Sequence, residues 1–405
     1  MSIGGCMEDG GRIVAQPDLG RRDVVLLAIA SAVITANAYY IHPIIRPIAE
    51  SFAISDALVG VVPAMNQIAL ALGVVLLLPL GDRVNNRLLA SICLAAQTLA
   101  LLVMAVSTDF TAFTIASGVL GFFTVTPYLL PAYASKRVAP SQLGFVTAML
   151  TTGVVAGVIG SRALSGALAE AYGWRSVYWA AAGMMLLATI AIPMLMKADP
   201  PDESGEPLRY DRLLASLAKL AAERPRIVAS GLIQGISFCI FIFVSMGIGL
   251  HLTSAEIGLG TDTVGYLALF SLLNLMTTPG LGKWADRVGA EHARLTMTLV
   301  QLAGVSLLSL VNAHWLLLAI PIVLNSIAAP MIDVSGRMTS LREPPERRSR
   351  LLTIYIALMF LGGSFGSWAG AAVYDYGGWT GTVIAATALA LMATALAARE
   401  RSLIR

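Results

Sequence analysis

The sequence predicts an all-α membrane protein: twelve transmembrane helices in two pseudo-symmetric six-helix bundles, with both termini in the cytoplasm. Three observations carry this. The chain is 57% hydrophobic and only 13% charged, with a mean hydropathy of +0.77. Its apolar residues fall in long blocks. Two unrelated landmarks recur at one spacing.

A soluble domain carries about 25% charged residues because its surface faces water. A chain of 405 residues cannot hide this much apolar sequence in a soluble core. Most of its surface therefore faces lipid. About 20 helical residues cross the roughly 30 Å hydrocarbon layer. Twelve blocks meet that length: 24–47, 57–80, 88–107, 110–134, 143–169, 176–196, 227–252, 263–282, 295–313, 315–336, 351–373 and 380–398. They show no alternation at every second residue, which argues against a membrane β-barrel. Backbone polar groups in lipid must then be satisfied within helices. The first block is longer than a signal-peptide core and no small-residue cleavage site follows it, so it is read as a permanent span.

Orientation follows from charge. With a cytoplasmic N-terminus, all but Arg46, Arg162 and Arg175 of the 27 Lys and Arg fall on the cytoplasmic side, as the positive-inside rule requires. The net charge of +3 is this asymmetry and not a nucleic-acid footprint. Trp174, Trp315 and Trp379 sit at outer helix ends, where amphipathic rings favour the interface. Cys6, Cys93 and Cys239 suggest no disulfide framework, and no metal-ligand spacing is present.

The expected organisation is a cytoplasmic arm (1–23), an N-terminal six-helix bundle (24–196), a cytoplasmic linker (197–226), a C-terminal six-helix bundle (227–398) and a cytoplasmic tail (399–405). The linker opens on Pro200-Pro201 and Asp202-Glu203-Ser204-Gly205, which read as loop. Beyond it Leu213, Leu214, Leu217 and Leu220 share a face opposite Arg212 and Lys219, so this part is expected to lie along the membrane surface. Asp82-Arg83-Val84 and Asp286-Arg287-Val288 lie 204 residues apart, and so do Tyr172 and Tyr376, each just before a Gly and a Trp. Two landmarks at one offset mark a duplication. Parallel repeats of this kind enclose a central site and rock about it.

Gly282-Lys283-Trp284-Ala285-Asp286-Arg287-Val288-Gly289 matches the pattern G-x-x-x-D-R-x-G. It resembles the cytoplasmic loop signature of the major facilitator superfamily. The first-half copy, Leu78 to Asn85, departs at both glycines, although Asn is the next-best residue for a left-handed turn. Asn37-Ala38-Tyr39-Tyr40-Ile41-His42-Pro43 resembles the helix-1 motif of one branch, the bacterial drug and sugar efflux permeases of the drug–proton antiporter type. Arg348 to Tyr355, Gly362 to Ser367, and Arg162 with Ser165-Gly166 also resemble that branch. The resemblance implies the major facilitator fold, a monomer in the bacterial inner membrane, and alternating access. It also implies that Asp82, Arg83, Gly282, Asp286, Arg287 and Gly289 form a cytoplasmic gate. The expected activity is proton-coupled efflux of a small organic molecule. Uptake by a symporter or facilitator on the same fold is the alternative, and a membrane-embedded enzyme or receptor the remote one. No phosphate-binding loop, Gly-x-Ser-x-Gly or His/Glu metal spacing supports an enzyme, so no cofactor is expected beyond the proton-motive force.

Ionisable groups inside a bilayer are costly and usually functional. Arg162 either snorkels to the outer headgroups or faces a cavity, where it would hold an anionic group. His42 shares a face with Tyr39 and Arg46 and is either a hydrogen-bonded histidine or a titrating group. Asp333 is either an i,i+4 partner of Arg337 or a proton site. Asn37, Tyr40, Asn66, Gln67, Tyr128, Gln234 and Asn274 are the other cavity candidates, each able instead to bond a neighbouring helix. No acidic residue lies near the middle of a span, so the expected partners are the lipid bilayer and a neutral or anionic small molecule. The glycines of Gly153/Gly157 and of Gly362/Gly366/Gly370, four apart, are expected to let helix backbones approach closely.

Overall fold

The computed structural model describes residues 19–82, 84–135, 137–197, 210–309, 315–341 and 343–402, and every regular element among them is helical. The first half comprises α1 (Arg21–Ala36), α2 (Ile45–Ser51), α3 (Asp56–Val59), α4 (Val61–Leu77), a 3-10 turn at Leu78–Asp82, α5 (Asn86–Val106), α6 (Phe110–Phe123), α7 (Thr126–Ser135), α8 (Pro140–Tyr172) and α9 (Trp174–Leu195). The linker contributes α10 (Tyr210–Glu223). The second half comprises α11 (Pro225–Leu252), α12 (Thr261–Leu267), a 3-10 turn at Ala268–Leu272, α13 (Leu273–Val288), α14 (Ala290–Ser306), a 3-10 turn at Trp315–Leu318, α15 (Ala319–Leu341) and α16 (Pro345–Ser402).

Among the described residues eight helices are long and apolar enough to cross a membrane, or nine if the bent pair Thr261–Thr278 and Gly280–Val288 forms one span. One of the eight, Arg350–Ser402, has 53 residues. At about 1.5 Å per residue that is roughly 80 Å, over twice a ~30 Å hydrocarbon layer. Its helical geometry breaks at Gly378, where φ is 58°. Gly173, between α8 and α9, has φ 81°. A left-handed turn of this kind favours glycine, which has no Cβ to clash. The landmark repeat thus corresponds to a repeated turn.

The tryptophan that follows each turn differs from expectation. Trp174 and Trp379 are each only 7% exposed, packed inside the bundle rather than presented to the interface. Trp174 packs on Phe52, Phe113 and Tyr178, and Trp379 stacks on His251 at 4.7 Å. A large ring below a tight turn buries its apolar area against protein. The side chain of Trp315 lies outside the described residues.

The loop signature also diverges between the halves. Gly289 closes α13 at φ 89°, but Asn85 has φ −56° and caps α5 by accepting the Arg87 N–H at 2.9 Å. Asn85 therefore acts as a helix cap and not as a left-handed turn. Arg83 and the side chain of Asp82 lie outside the described residues.

Several predicted spans are interrupted, two of them beside the space between the halves. Between α1 and α2 the chain makes i→i+3 bonds, including Tyr39 N–H to Ala36 O and His42 N–H to Tyr39 O. Pro43 and Pro47 lack N–H groups and disrupt the i→i−4 ladder there. The second interruption is the 3-10 turn between α12 and α13. Broken helices in membrane bundles leave backbone and polar side chains free to line a cavity.

Close seams build each half. A Cβ on Gly153 or Gly157 of α8 would overlap the carbonyl oxygens of Ala28 and Ala32 in α1. Gly362 and Gly366 of α16 meet Gly235 and Cys239 of α11 in the same manner. Backbones this near each other leave room for glycine alone. The halves meet where α8 packs on α12, α3 and α4 pack on α16, and α2 touches α11. These contacts crowd toward the end of the bundle that holds the turns at Gly173 and Gly378. Arg46 donates there to the Leu250 carbonyl and pairs with Asp56, each at 3.0 Å. The Glu170 carboxylate accepts the Thr261 N–H at 2.9 Å, tying α8 to α12. The opposite end holds the start of α1, the end of α16 and the linker helix. Leu220 of α10 is buried against Ile227 and Leu351, and Arg350 donates to Ser216. Of the linker's apolar face, Leu217 and Leu220 are buried on protein rather than laid along the membrane, and the side chains of Leu213 and Leu214 lie outside the described residues.

Candidate functional site

A cavity of about 180 Å³ lies between the halves, walled by α8 on one side and by α11, α13, α15 and α16 on the other. Four residues singled out from the sequence line it: Arg162, Gln234, Asn274 and Asp333. Arg162 also lines an adjoining chamber of about 50 Å³ together with His42. By helical rise, Arg162 stands about 15 Å from the Tyr172 end of α8, and Asp333 about 12 Å from the opposite end of α15. Arg162 thus lies nearer the closed end and Asp333 nearer the end of the termini.

Arg162 is 8% exposed, which places it inside the protein and not at the headgroups. Its guanidinium lies 4.6 Å from the Phe241 ring and 5.7 Å from the Tyr39 ring. Its Nε and Nη2 have no hydrogen-bond partner in the protein, and no carboxylate pairs with it among the described residues. Stacking on aromatic faces offsets part of the desolvation of a guanidinium, but leaves its donors unsatisfied. His42 is similar. It is 2% exposed, edge-on to Tyr39 at 5.6 Å, and neither ring nitrogen has a hydrogen-bond partner among the described residues.

Asp333 accepts from Arg337 Nε at 2.9 and 3.0 Å, the i,i+4 pair the spacing suggested, while also facing the cavity. Its backbone carbonyl accepts the Tyr355 hydroxyl. Gln234 leaves its Oε1 without a partner, whereas Asn274 accepts from Thr278 through its side chain. Ser271 and Ser326 share a hydrogen bond of 2.7 Å on the cavity wall.

The remaining candidates sit elsewhere. Asn37 donates to Gln97 at 3.2 Å, and Asn66 donates to the Ser117 carbonyl at 2.9 Å, so both tie neighbouring helices. Tyr40 is buried in the core and lines neither cavity. Gln67 is buried beside Gly363 of α16, with its Oε1 unpartnered. Tyr128 packs edge-on against Phe360 across the two halves. Asp286 and Arg287 are exposed on the linker side and form no ion pair among the described residues. Gly282 has open space around it. Among the described residues no cluster fit for a metal is present.

Sequence reasoning missed the aromatic wall. Gln234, Phe238 and Phe241 fall at i, i+4 and i+7, one face of α11, and all three line the cavity. That spacing was readable. The roles of Ser271, Ser326 and Met359 were not, because single small or apolar residues give no local signal.

The sequence profile of the Major Facilitator Superfamily matches residues 27–289 and again 226–402. The chain belongs to that superfamily. As a member it is a multi-pass membrane transporter and not an enzyme. It is 27% identical over 372 residues to the uncharacterized transporter YgaY of Escherichia coli O157:H7, covering 91% of this chain and 93% of that one. It is 24% identical over 242 residues to the multidrug resistance protein MdtG of Serratia proteamaculans, covering 58% and 57% of the two chains. Among solved structures, a bacterial homolog of the human lysosomal transporter Spinster, inward-facing and occupied, superposes with a TM-score of 0.73 at 14% identity, covering 96% and 98%.

Proposed function

We propose that this transporter exports a small neutral or anionic organic molecule across the bacterial inner membrane, as a monomer driven by the proton gradient. On this reading twelve spans form two six-helix units, 24–196 and 227–398, joined by the cytoplasmic linker 197–226, with the arm 1–23 and the tail 399–405 also cytoplasmic. The closed end of the bundle is then the outer face, and the cavity is approached from the cytoplasm.

One observation carries the reading: a buried, unpartnered Arg162 on a cavity between two repeated halves. A buried cation without a partner is costly, and an anionic or strongly accepting ligand offsets that cost. The relative named as a multidrug resistance protein supports export. His42, beside Arg162, and Asp333, on the cavity wall, are the proton-coupling groups. In the gate, Asp82, Arg83, Gly282, Asp286, Arg287 and Gly289 close the cytoplasmic end when the halves rock. The exposure of Asp286 and Arg287 fits a conformation in which that latch is undone.

The test uses everted vesicles with an acid interior, to which neutral, anionic and cationic compounds are added in turn. Collapse of the pH gradient by an anion or a neutral compound, absent from vesicles lacking the protein, is the expected result. Collapse by cationic dyes alone would reverse the charge assignment. Asp82→Asn is expected to lower turnover without lowering expression, and unchanged turnover removes the gate role.

A further inference from the structure

From the chemistry of the cavity wall we infer the substrate class: a small aromatic or similarly flat monocarboxylate, bound by Arg162 with its ring against Phe238 and Phe241. The inference rests on the proposed transport reading and narrows it.

Charge comes first. Among the described residues Arg162 is the one basic side chain on the cavity wall, it is over nine-tenths buried, and its Nε and Nη2 point at no protein acceptor. Those two donors lie in one plane and match the two oxygens of a carboxylate. Phosphate monoesters and dicarboxylates bring a second negative charge. The other charged group on this wall among the described residues is the Asp333 carboxylate, toward the opposite end of the cavity. It is paired with Arg337, so that guanidinium is already committed and is not free to hold a second anionic group. The wall therefore selects one negative charge.

Shape comes second. The cavity of about 180 Å³ is a little larger than the roughly 150 Å³ apolar cavity known to accept benzene. One ring with a carboxylate and a small substituent fills it. Phe238 and Phe241 both line the cavity and stack nearly parallel, with centroids 6.1 Å apart and planes 20° off, and the guanidinium lies over the Phe241 ring. Aromatic side chains of this kind favour flat partners in offset or edge-on contact. Gln234, with its free Oε1, lies one turn from Phe238 and selects a ring bearing a hydroxyl or amine donor over a bare ring.

The experiment measures binding to the full-length purified protein in lipid nanodiscs, separately from transport. Four probes share one ring: benzoate, terephthalate, benzamide and benzylamine. Benzoate is expected to bind most tightly. Terephthalate and benzamide should each be weaker by about tenfold or more, the scale of a lost charge-assisted hydrogen bond or of a charge left without a partner. Benzylamine should not bind. Adding a para-hydroxyl to benzoate should tighten binding in the wild type and not in Gln234→Leu. Arg162→Lys keeps the charge but not the fork and should lose part of the benzoate affinity, while Arg162→Met should lose nearly all. Preference for benzamide or benzylamine, or no binding by any of the four, overturns the assignment. The vesicle pH assay is read independently. Gradient collapse by neutral compounds with no benzoate binding sinks this inference and leaves the exporter standing. Benzoate binding with no gradient collapse by any compound does the reverse.

Discussion

The two halves share a frame but not a polar interior. Gln97 and Gln301 stand 204 residues apart, at the same offset as the landmarks. Gln97 accepts from Asn37 and donates to the Phe123 carbonyl at 3.0 Å, joining three helices. Gln301 donates to Asn325 at 2.8 Å and to the Ser237 carbonyl at 3.3 Å, joining the corresponding three. The linker-side ends differ. In the second half the fully buried Arg294 pairs with Glu400 and also donates to the Ser335 carbonyl and to Thr339. The positions 204 residues earlier are Ala90 and Met196, both buried and apolar. One copy of the frame thus stands without any ion pair at this place. The pair in the second half locks α14, α15 and α16 at the end where the proposed gate opens.

The comparison breaks first at that pair. Glu400→Met alone strands a buried guanidinium and should cost about 3–5 kcal/mol, read as the loss of unfolding free energy of the purified protein. Transplanting both first-half residues, Arg294→Ala with Glu400→Met, should recover most of that loss. If the double variant is as unstable as the single, the ion pair is required by its surroundings and the halves are not interchangeable there.

The seams come next. Gly157→Ala on α8 and Gly366→Ala on α16 each push a methyl into a facing carbonyl and should each cost about 1–3 kcal/mol. Equal losses sharpen the symmetry. A tolerated Gly366→Ala would show that the second seam slides apart without penalty.

Gln97→Leu and Gln301→Leu each leave partner groups unsatisfied and should cost roughly 1–3 kcal/mol apiece. A loss confined to one of them, measured by thermal unfolding, would mean that the tie is shared in sequence only. The smallest effect is expected at the closed end. The Arg46–Asp56 pair is partly exposed, so Asp56→Asn should change stability by under about 1 kcal/mol. A larger loss would mark this contact as a latch that holds the halves together.

Much of the frame was legible because lipid imposes it. Long apolar blocks, charge asymmetry and a duplicated landmark need no tertiary information, and Gly153, Gly157, Gly362 and Gly366 were readable as close-packing positions. What could not be read was the direction in which each polar side chain faces. Asn37 and Asn66 share composition and depth with Gln234 and Asn274, yet the first two bond neighbouring helices and the other two face the cavity. A helix turns 100° per residue, so a break such as that at 37–44 rotates every later side chain. No local pattern records that rotation. The burial of Trp174 and Trp379 was missed for a related reason: an interface ring and a ring below a turn have the same sequence neighbours.

The isolation of Arg162 bears on how such a carrier changes its cargo over generations. At position 294 the loss of one charge leaves its opposite buried and alone, so two coordinated changes are needed to escape. At position 162 no carboxylate among the described residues is left behind. A single replacement there removes a charge without creating an orphan, and the fold has little to lose by it. On the proposed reading, in which Arg162 holds an acid, one replacement there is enough to exchange an acid for a neutral compound.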